Sequence, residues 1–480
     1  MVRYSAIPEG RAHNAQRSLT VLIFLSAFAL GGGVSFVYLW LSPRVALGVL
    51  ICVGALGAVG YALMRGRSVF DSPTYLTLVS YAVFFGLGAL SVPFMPRLLK
   101  PVEDLSPLLV ALAGLAALLI GAYLSRVLFP HRIFAIKVRG GQSISFRRLR
   151  LLGLLFCAVG MMGVLLYLSS VGGIQFLLES IYGIREDLGL YYFLIVLLRS
   201  GFYILLAWMI AMRPRSRMWA FFMLFVGVFN LFWFGPLRGS RHQVLTFLLA
   251  TIILTRRLGL GGRLGFGIKA MLIVGLAAVF LTISVWGNLR QYSLQEIASL
   301  DRATIFDVSG MQGAVVQAIY EPYDTYSRIV TGVPLVMPEL RGYTFWESLV
   351  IVVPRALWPS KPLSRGDWLE WTIYGEMGGN TVPTWPGELY LNFGLSGVVV
   401  GMWFTGIFCW LISNLGRVPG ATKQISVARV LMYSVTYPSF LELIWGGSNA
   451  LMWYLYGDVL PVYVALWLCR KRGAAFVSGA

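Results

Sequence analysis

WGNLRQYSLQEI at residues 286–297, YEPYDTYSRIV at 320–330, VVPRALWPSKP at 352–362 and TWPGELYLNFGL at 384–395 mark out a polar insert, residues 287–395, lodged between long apolar runs. The insert holds eleven of the chain's 20 carboxylates and seven of its 39 Lys and Arg, so water-facing chemistry is expected there. The flanking sequence reads as membrane. Runs of about 20 apolar residues, enough to cross roughly 30 Å of hydrocarbon as a helix, fall at 19–41, 45–64, 74–95, 107–129, 149–170, 190–212, 217–235, 242–258 and 268–286. After the insert come 396–415, 426–445 and 449–468. The pattern predicts an all-α polytopic membrane protein with about 12 transmembrane helices. Nine spans lie in residues 1–286, the large loop with its short helices in 287–395, and three spans in 396–480.

Composition agrees. Residues are 58% hydrophobic and 12% charged, which excludes a set of soluble domains. The net charge of +19 does not indicate nucleic acid, because the basic residues stand in short clusters between apolar runs. One alternating set of connections, with both termini, holds 25 basic and two acidic residues, whereas the other holds 13 basic and 16 acidic. That asymmetry puts both termini in the cytoplasm and the insert outside. The span at 242–258 decides this, since RGSR precedes it and TRR ends it, and without it the insert would change sides. Arg3, Arg11 and Arg17 precede a run too long for a signal-peptide core, so a retained first helix is expected. Cys52, Cys157, Cys409 and Cys469 fall in or beside apolar runs, which argues against a disulfide framework or a Cys zinc site.

Residues 172–189 form an amphipathic stretch suited to the outer surface. GVPLVMPEL (332–340) and WESLVIVVPRALW (346–358) are too short to cross and too apolar for open water, so they are expected to dip into the membrane edge.

Arg238 and Arg241, in FGPLRGSRHQ, stand in an outward turn where Gly239 lets two guanidiniums converge on one anion. A diphosphate suits them, since its oxygens accept bidentate Arg forks; the structural alternative is snorkelling to headgroups. Arg355 and Lys361 in the proline-stiffened VVPRALWPSKP segment can clamp a phosphate, with Arg290 and Arg328 as further loop cations. Trp358 and Tyr390 can stack a sugar ring, or simply anchor the interface. Glu388, Asp324, Glu321 and Asp367 are the candidate general bases. Glu388 alternatively serves as a first-turn acid at a helix dipole. Arg199, Glu442 and Asp458 lie inside spans, where a charge costs at least roughly 2.5 kcal/mol, and either pair with one another or line a substrate path. His242 begins a helix, where packing or capping is the commoner role. No DxD motif or His/Cys ligand cluster occurs, so no metal and no cofactor is expected.

PRALWPSKP (354–362), GELYLNFGLSG (387–397), SRHQVLTFLLA (240–250) and SVGGIQFLLESIYGIRE (170–186) together resemble the Wzy-type O-antigen and exopolysaccharide polymerases, over roughly residues 150–415. Such proteins look like the polytopic class C glycosyltransferases. The resemblance implies an enzyme of the bacterial inner membrane whose active site faces the periplasm. It would transfer a growing glycan from undecaprenyl diphosphate to the non-reducing-end sugar of a new lipid-linked repeat unit, without metal. Partners implied are the undecaprenyl-diphosphate-linked oligosaccharide, membrane lipid, a chain-length-regulating co-polymerase and a flippase. The resemblance implies that Arg238, Arg241 and Arg355 stand where the family has arginines proposed to hold the diphosphate.

Physical chemistry points the same way. Outside the cytoplasm the donor must bring its own leaving group, and preorganised guanidiniums stabilise the departing diphosphate. One carboxylate then suffices as base, and a single displacement inverts the anomeric carbon. Two rivals stand against this reading. An O-antigen ligase shares the architecture, but its family uses a histidine in the large loop, and residues 287–395 contain none. A flippase or other transporter is the non-enzyme alternative, favoured by Arg199, Glu442 and Asp458.

Overall fold

The computed structural model describes residues 42–66, 68–92, 104–128, 144–173, 189–214, 216–234, 241–259, 308–351, 353, 358, 360–361, 365–375, 381–415 and 423–470. Among these residues the protein is all-α, with one isolated β-bridge between Ile144 and Arg470. In chain order the helices are α1 (Pro43–Met64), α2 (Pro73–Ser91), α3 (Ser106–Leu128), α4 (Phe146–Ser170), α5 (Gly189–Met212), α6 (Arg217–Phe232) and α7 (Arg241–Arg257). Then follow α8 (Val308–Gly332), α9 (Tyr343–Val350), α10 (Arg365–Tyr374), α11 (Trp385–Leu415), α12 (Lys423–Thr436) and α13 (Ser439–Leu468). α2 and α13 each pass through a π-helical turn, at Ala82–Leu87 and Leu455–Val459.

Seven of the described helices, α1 to α5, α11 and α13, are long and apolar enough to cross a membrane. α1 to α5 coincide with expected spans, α11 begins ahead of the expected 396–415, and α13 runs from within the expected 426–445 to the end of the expected 449–468. The expected spans 217–235 and 242–258 are the shorter helices α6 and α7, of 16 and 17 residues. The expected span 426–445 is divided, because α12 ends at Thr436 and α13 begins at Ser439. Pro438 lies between them, lacks an N–H for the helical ladder and disfavours helical backbone at Tyr437. The stretches 19–41 and 268–286 lie outside the described residues.

Lipid tails are as apolar as leucine, so membrane helices associate through close packing rather than escape from water. α4 accordingly turns Gly153, Cys157, Gly160 and Gly163 toward α5, where a Cβ at Gly160 would run into the Leu198 backbone. At the α3–α11 contact a Cβ at Gly406 would strike the Leu118 carbonyl. Two cores result. Tyr81, Phe85, Leu108, Tyr326, Val398 and Met402 form one, among α2, α3, α8 and α11. Leu198, Tyr203, Leu205, Phe247, Leu431 and Val462 form the other, among α5, α7, α12 and α13. α13 joins both, with Ile444 in the first and Val462 in the second. Leu109, Ile120 and Tyr123 of α3 and Phe221, Leu224 and Phe225 of α6 point outward, as a lipid-facing surface requires.

The insert is stitched to this bundle where Tyr326 Oη donates to the Pro107 carbonyl at 2.8 Å, and it is tied to the head of α11 where the Leu340 and Arg341 amides donate to Leu391 and Asn392 carbonyls at 3.0 and 3.2 Å. Asn392 Nδ2 donates to Thr344 Oγ1 at 2.7 Å. The two greasy segments turn apolar groups outward: Leu335 and Val336 in one, Trp346 and Leu349 of α9 in the other. Thr344, Glu347 and Ser348 face inward from α9.

Candidate functional site

Two glycines break spans where the insert meets the bundle. Gly394 interrupts α11 at φ 61°, ψ −153°, and Gly447 interrupts α13 at φ 70°, ψ −158°. A helix break frees backbone N–H groups that lipid cannot satisfy. At Gly447 the head of α11 supplies the partner: Ser448 N–H donates to Glu388 Oε2 at 2.6 Å, and Ser448 Oγ donates to Glu388 Oε1 at 2.5 Å. Ser348 Oγ lies 2.6 Å from Ser448 Oγ, so α9, α11 and α13 meet at one polar node. Glu388 is fully buried, and a Cβ at Gly447 would overlap its carboxylate.

A second node forms on α8. Asp324, also buried, accepts from Tyr320 Oη at 3.0 Å, Tyr374 Oη at 3.0 Å and Arg328 Nε at 2.8 Å. Burial, and then the adjacent Asp324 charge, hold the Tyr320 and Tyr374 phenols above their ordinary range. Both therefore stay protonated donors. The node clips α10 to α8, and hydrogen bonds to a charged partner contribute about 1.5–3 kcal/mol. Asp324→Asn is expected to lower stability by about 2 kcal/mol on that scale. Thermal unfolding in detergent, with proteolysis of the insert, measures it; an unchanged melting temperature and cleavage pattern would count against the node.

The third node lies within the bundle. Arg199 of α5 is 1% exposed, its Nε donates to Asp458 Oδ1 at 2.6 Å, and its Nη2 engages the other carboxylate oxygen. The guanidinium lies 4.6 Å from the Phe234 ring centre and 5.8 Å from that of Tyr454. Asp458 sits on the π turn of α13. Of the two alternatives for these intramembrane charges, pairing holds for Arg199 and Asp458. Glu442 stands apart from that pair. Its Oε2 is 3.8 Å from His242 Nε2, and the His242 ring stacks on Trp445 at 4.3 Å between centroids. Arg199 Nη1 and Glu442 Oε1 are buried without a hydrogen-bond partner. Buried polar atoms are satisfied in the great majority of cases, so each of these two is an exception that asks for a partner.

The predicted site residues distribute as follows. Arg238, Arg290 and Arg355 lie outside the described residues, and so do the side chains of Arg241 and Asp367, whose backbones are in α7 and α10. Glu321 is exposed on α8. Arg328 is bound to Asp324, and Lys361 Nζ donates to the Ile351 and Val353 carbonyls at 2.7 and 3.1 Å. Trp358 Nε1 donates to Ser360 Oγ at 3.1 Å, and Tyr390 is half-buried among apolar side chains. The structure thus joins Asp324 with Arg328, and Glu388 with Ser448.

Sequence reasoning missed the Ser348–Ser448 contact and the facing of His242 with Glu442. Paired glycines at 446–447 inside an apolar run were the available signal for the first. Nothing local announces the second, which joins positions two hundred residues apart. Among the described residues no group of three or more His, Cys, Asp or Glu could hold a metal ion. No family model, curated protein or solved structure matches the chain.

Proposed function

We propose that this chain is a polytopic glycosyltransferase that polymerises lipid-diphosphate-linked oligosaccharide repeat units at the outer face of a bacterial inner membrane. It has twelve spans, both termini in the cytoplasm and residues 287–395 in the periplasm. The growing glycan passes from undecaprenyl diphosphate to the non-reducing-end sugar of an incoming unit, with inversion and without metal. Arg238, Arg241 and Arg355 receive the diphosphate. A flippase delivers the units, and a co-polymerase sets chain length.

The observation that carries this reading is the polar node joining insert to bundle at Glu388, Ser448 and Ser348. A substrate with a lipid tail and a glycan head needs a protein whose water-facing segment and lipid-facing helices form one body. The stitched insert supports that requirement, and the resemblance in PRALWPSKP and GELYLNFGLSG supports the chemistry. The buried, unpartnered Arg199 Nη1 and Glu442 Oε1 favour one rival, a transporter passing a polar headgroup through the bundle.

Purified protein supplied with lipid-linked repeat units in detergent is expected to build a ladder of glycan lengths, unaffected by chelator. If units are never joined while vesicles containing the protein translocate them, the transporter reading replaces this one.

A further inference from the structure

Of the carboxylates whose side chains the structure describes, two expected bases are already engaged. Asp324 accepts three donors, and Glu388 is held through both oxygens by Ser448. Glu442 differs in kind. It is 3% exposed, yet Oε1 has no hydrogen-bond partner. Ionised carboxylate oxygens buried away from water are costly unless something donates to them, so Oε1 is built to receive a donor that comes and goes. A polar hydroxyl fits that description.

The surroundings give the oxygen a direction. Arg199 is the nearby cation, but two of its nitrogens bind Asp458 and offset that charge, which leaves Glu442 with His242 as its facing group. The imidazole is stacked on Trp445, one turn further along α13, and its side chain is 30% exposed, so it touches both the buried carboxylate and the outside. His242 follows directly in sequence on the RGSR stretch that holds the expected diphosphate arginines. A leaving-group site and a proton acceptor are therefore neighbours in the chain.

We propose that Glu442 is the catalytic base and His242 its proton outlet. This rests on the polymerase reading and puts Glu442 in place of the four candidate bases, Glu388, Asp324, Glu321 and Asp367. The acceptor O–H bond breaks, and its proton moves to Glu442 Oε1. The freed oxygen electron pair forms the new bond to the anomeric carbon as the bond from that carbon to the diphosphate breaks, its electron pair leaving on the diphosphate. Glu442 then passes the proton to His242, across 3.8 Å, and His242 gives it to water. Arg199 Nη1, likewise unpartnered, donates to the acceptor sugar and holds its hydroxyl toward Glu442.

The test is steady-state extension of lipid-linked repeat units by the full-length protein in detergent, with kcat and KM separated. Glu442→Gln is expected to lower kcat by about 10²- to 10⁴-fold, the usual contribution of a general base, and to leave KM within about threefold, since a base acts in the transition state. Glu442→Asp, which keeps a carboxylate, is expected to retain more activity than Glu442→Gln. A Glu442→Gln protein that extends units at the wild-type kcat overturns the assignment. Should that variant fail to fold, His242→Gln, at the partly exposed edge, is expected to lower kcat by about tenfold or more on the same scale; wild-type kcat there overturns it as well. If the wild-type protein joins no units, the polymerase reading itself falls, which is a different result from an active wild type with an active Glu442→Gln.

Discussion

Replacing Arg199 by Met is expected to destabilise the protein by about 3–5 kcal/mol, the cost of leaving one partner of a buried ion pair alone. The side chain is 1% exposed and its guanidinium grips both oxygens of Asp458, which is itself fully buried. Methionine fills similar volume but donates nothing, so the Asp458 carboxylate would stay in an apolar bundle with its charge unopposed. Two charges desolvated together gain little over two apolar groups of the same shape. The double variant Arg199→Met, Asp458→Leu is therefore expected to recover most of the loss. Thermal or denaturant unfolding in detergent reads both. Equal destabilisation in the single and double variants would show that the pair is not the interaction at stake. The apolar pair would keep the fold without the unpartnered Arg199 Nη1, which separates the structural work of this arginine from any work on substrate.

Gly447→Ala is expected to cost about 3 kcal/mol or more, from two independent causes. The backbone at φ 70°, ψ −158° lies in a region that only glycine occupies readily, and holding another residue there costs on the order of 1–3 kcal/mol. The new methyl group would also overlap the Glu388 carboxylate and push it away from Ser448, at the expense of hydrogen bonds worth about 1.5–3 kcal/mol. Combining Gly447→Ala with Glu388→Ala removes the collision but not the backbone demand, so the double variant is expected to remain less stable than wild type. Melting temperatures of the three proteins measure this, with protease sensitivity of the insert as a second readout. A wild-type melting temperature for Gly447→Ala would mean that the break in α13 is not needed.

Much of the helix layout can be read from residue order because it depends on local quantities. A run such as 107–129 is apolar over a membrane thickness whatever surrounds it, and α3 appears there as Ser106–Leu128. Pro43 and Pro73 begin helices because a first-turn residue needs no N–H partner. The split between α12 and α13 was less legible, since Pro438 can also sit inside a kinked span, as Pro322 sits inside α8. Among site residues, Asp324 and Arg328 are four apart on one helix, so their pairing follows from helical spacing. Glu388 was legible as a special carboxylate at the head of α11, but not as the partner of Ser448.

By itself, then, the order of residues determined the all-α membrane character, the positions of the long apolar helices and the existence of a polar insert, because hydrophobic length and charge clustering are properties of contiguous chain. Only the tertiary structure decided which intramembrane charge meets which. Arg199 reaches Asp458 across 259 residues, Ser448 reaches Glu388 across 60, and Glu442 is left facing His242. Coulombic and hydrogen-bond energies depend on distances of a few ångströms between helices, and those distances are set by side-chain packing such as the glycine-lined contact of α4 with α5, which no local pattern encodes.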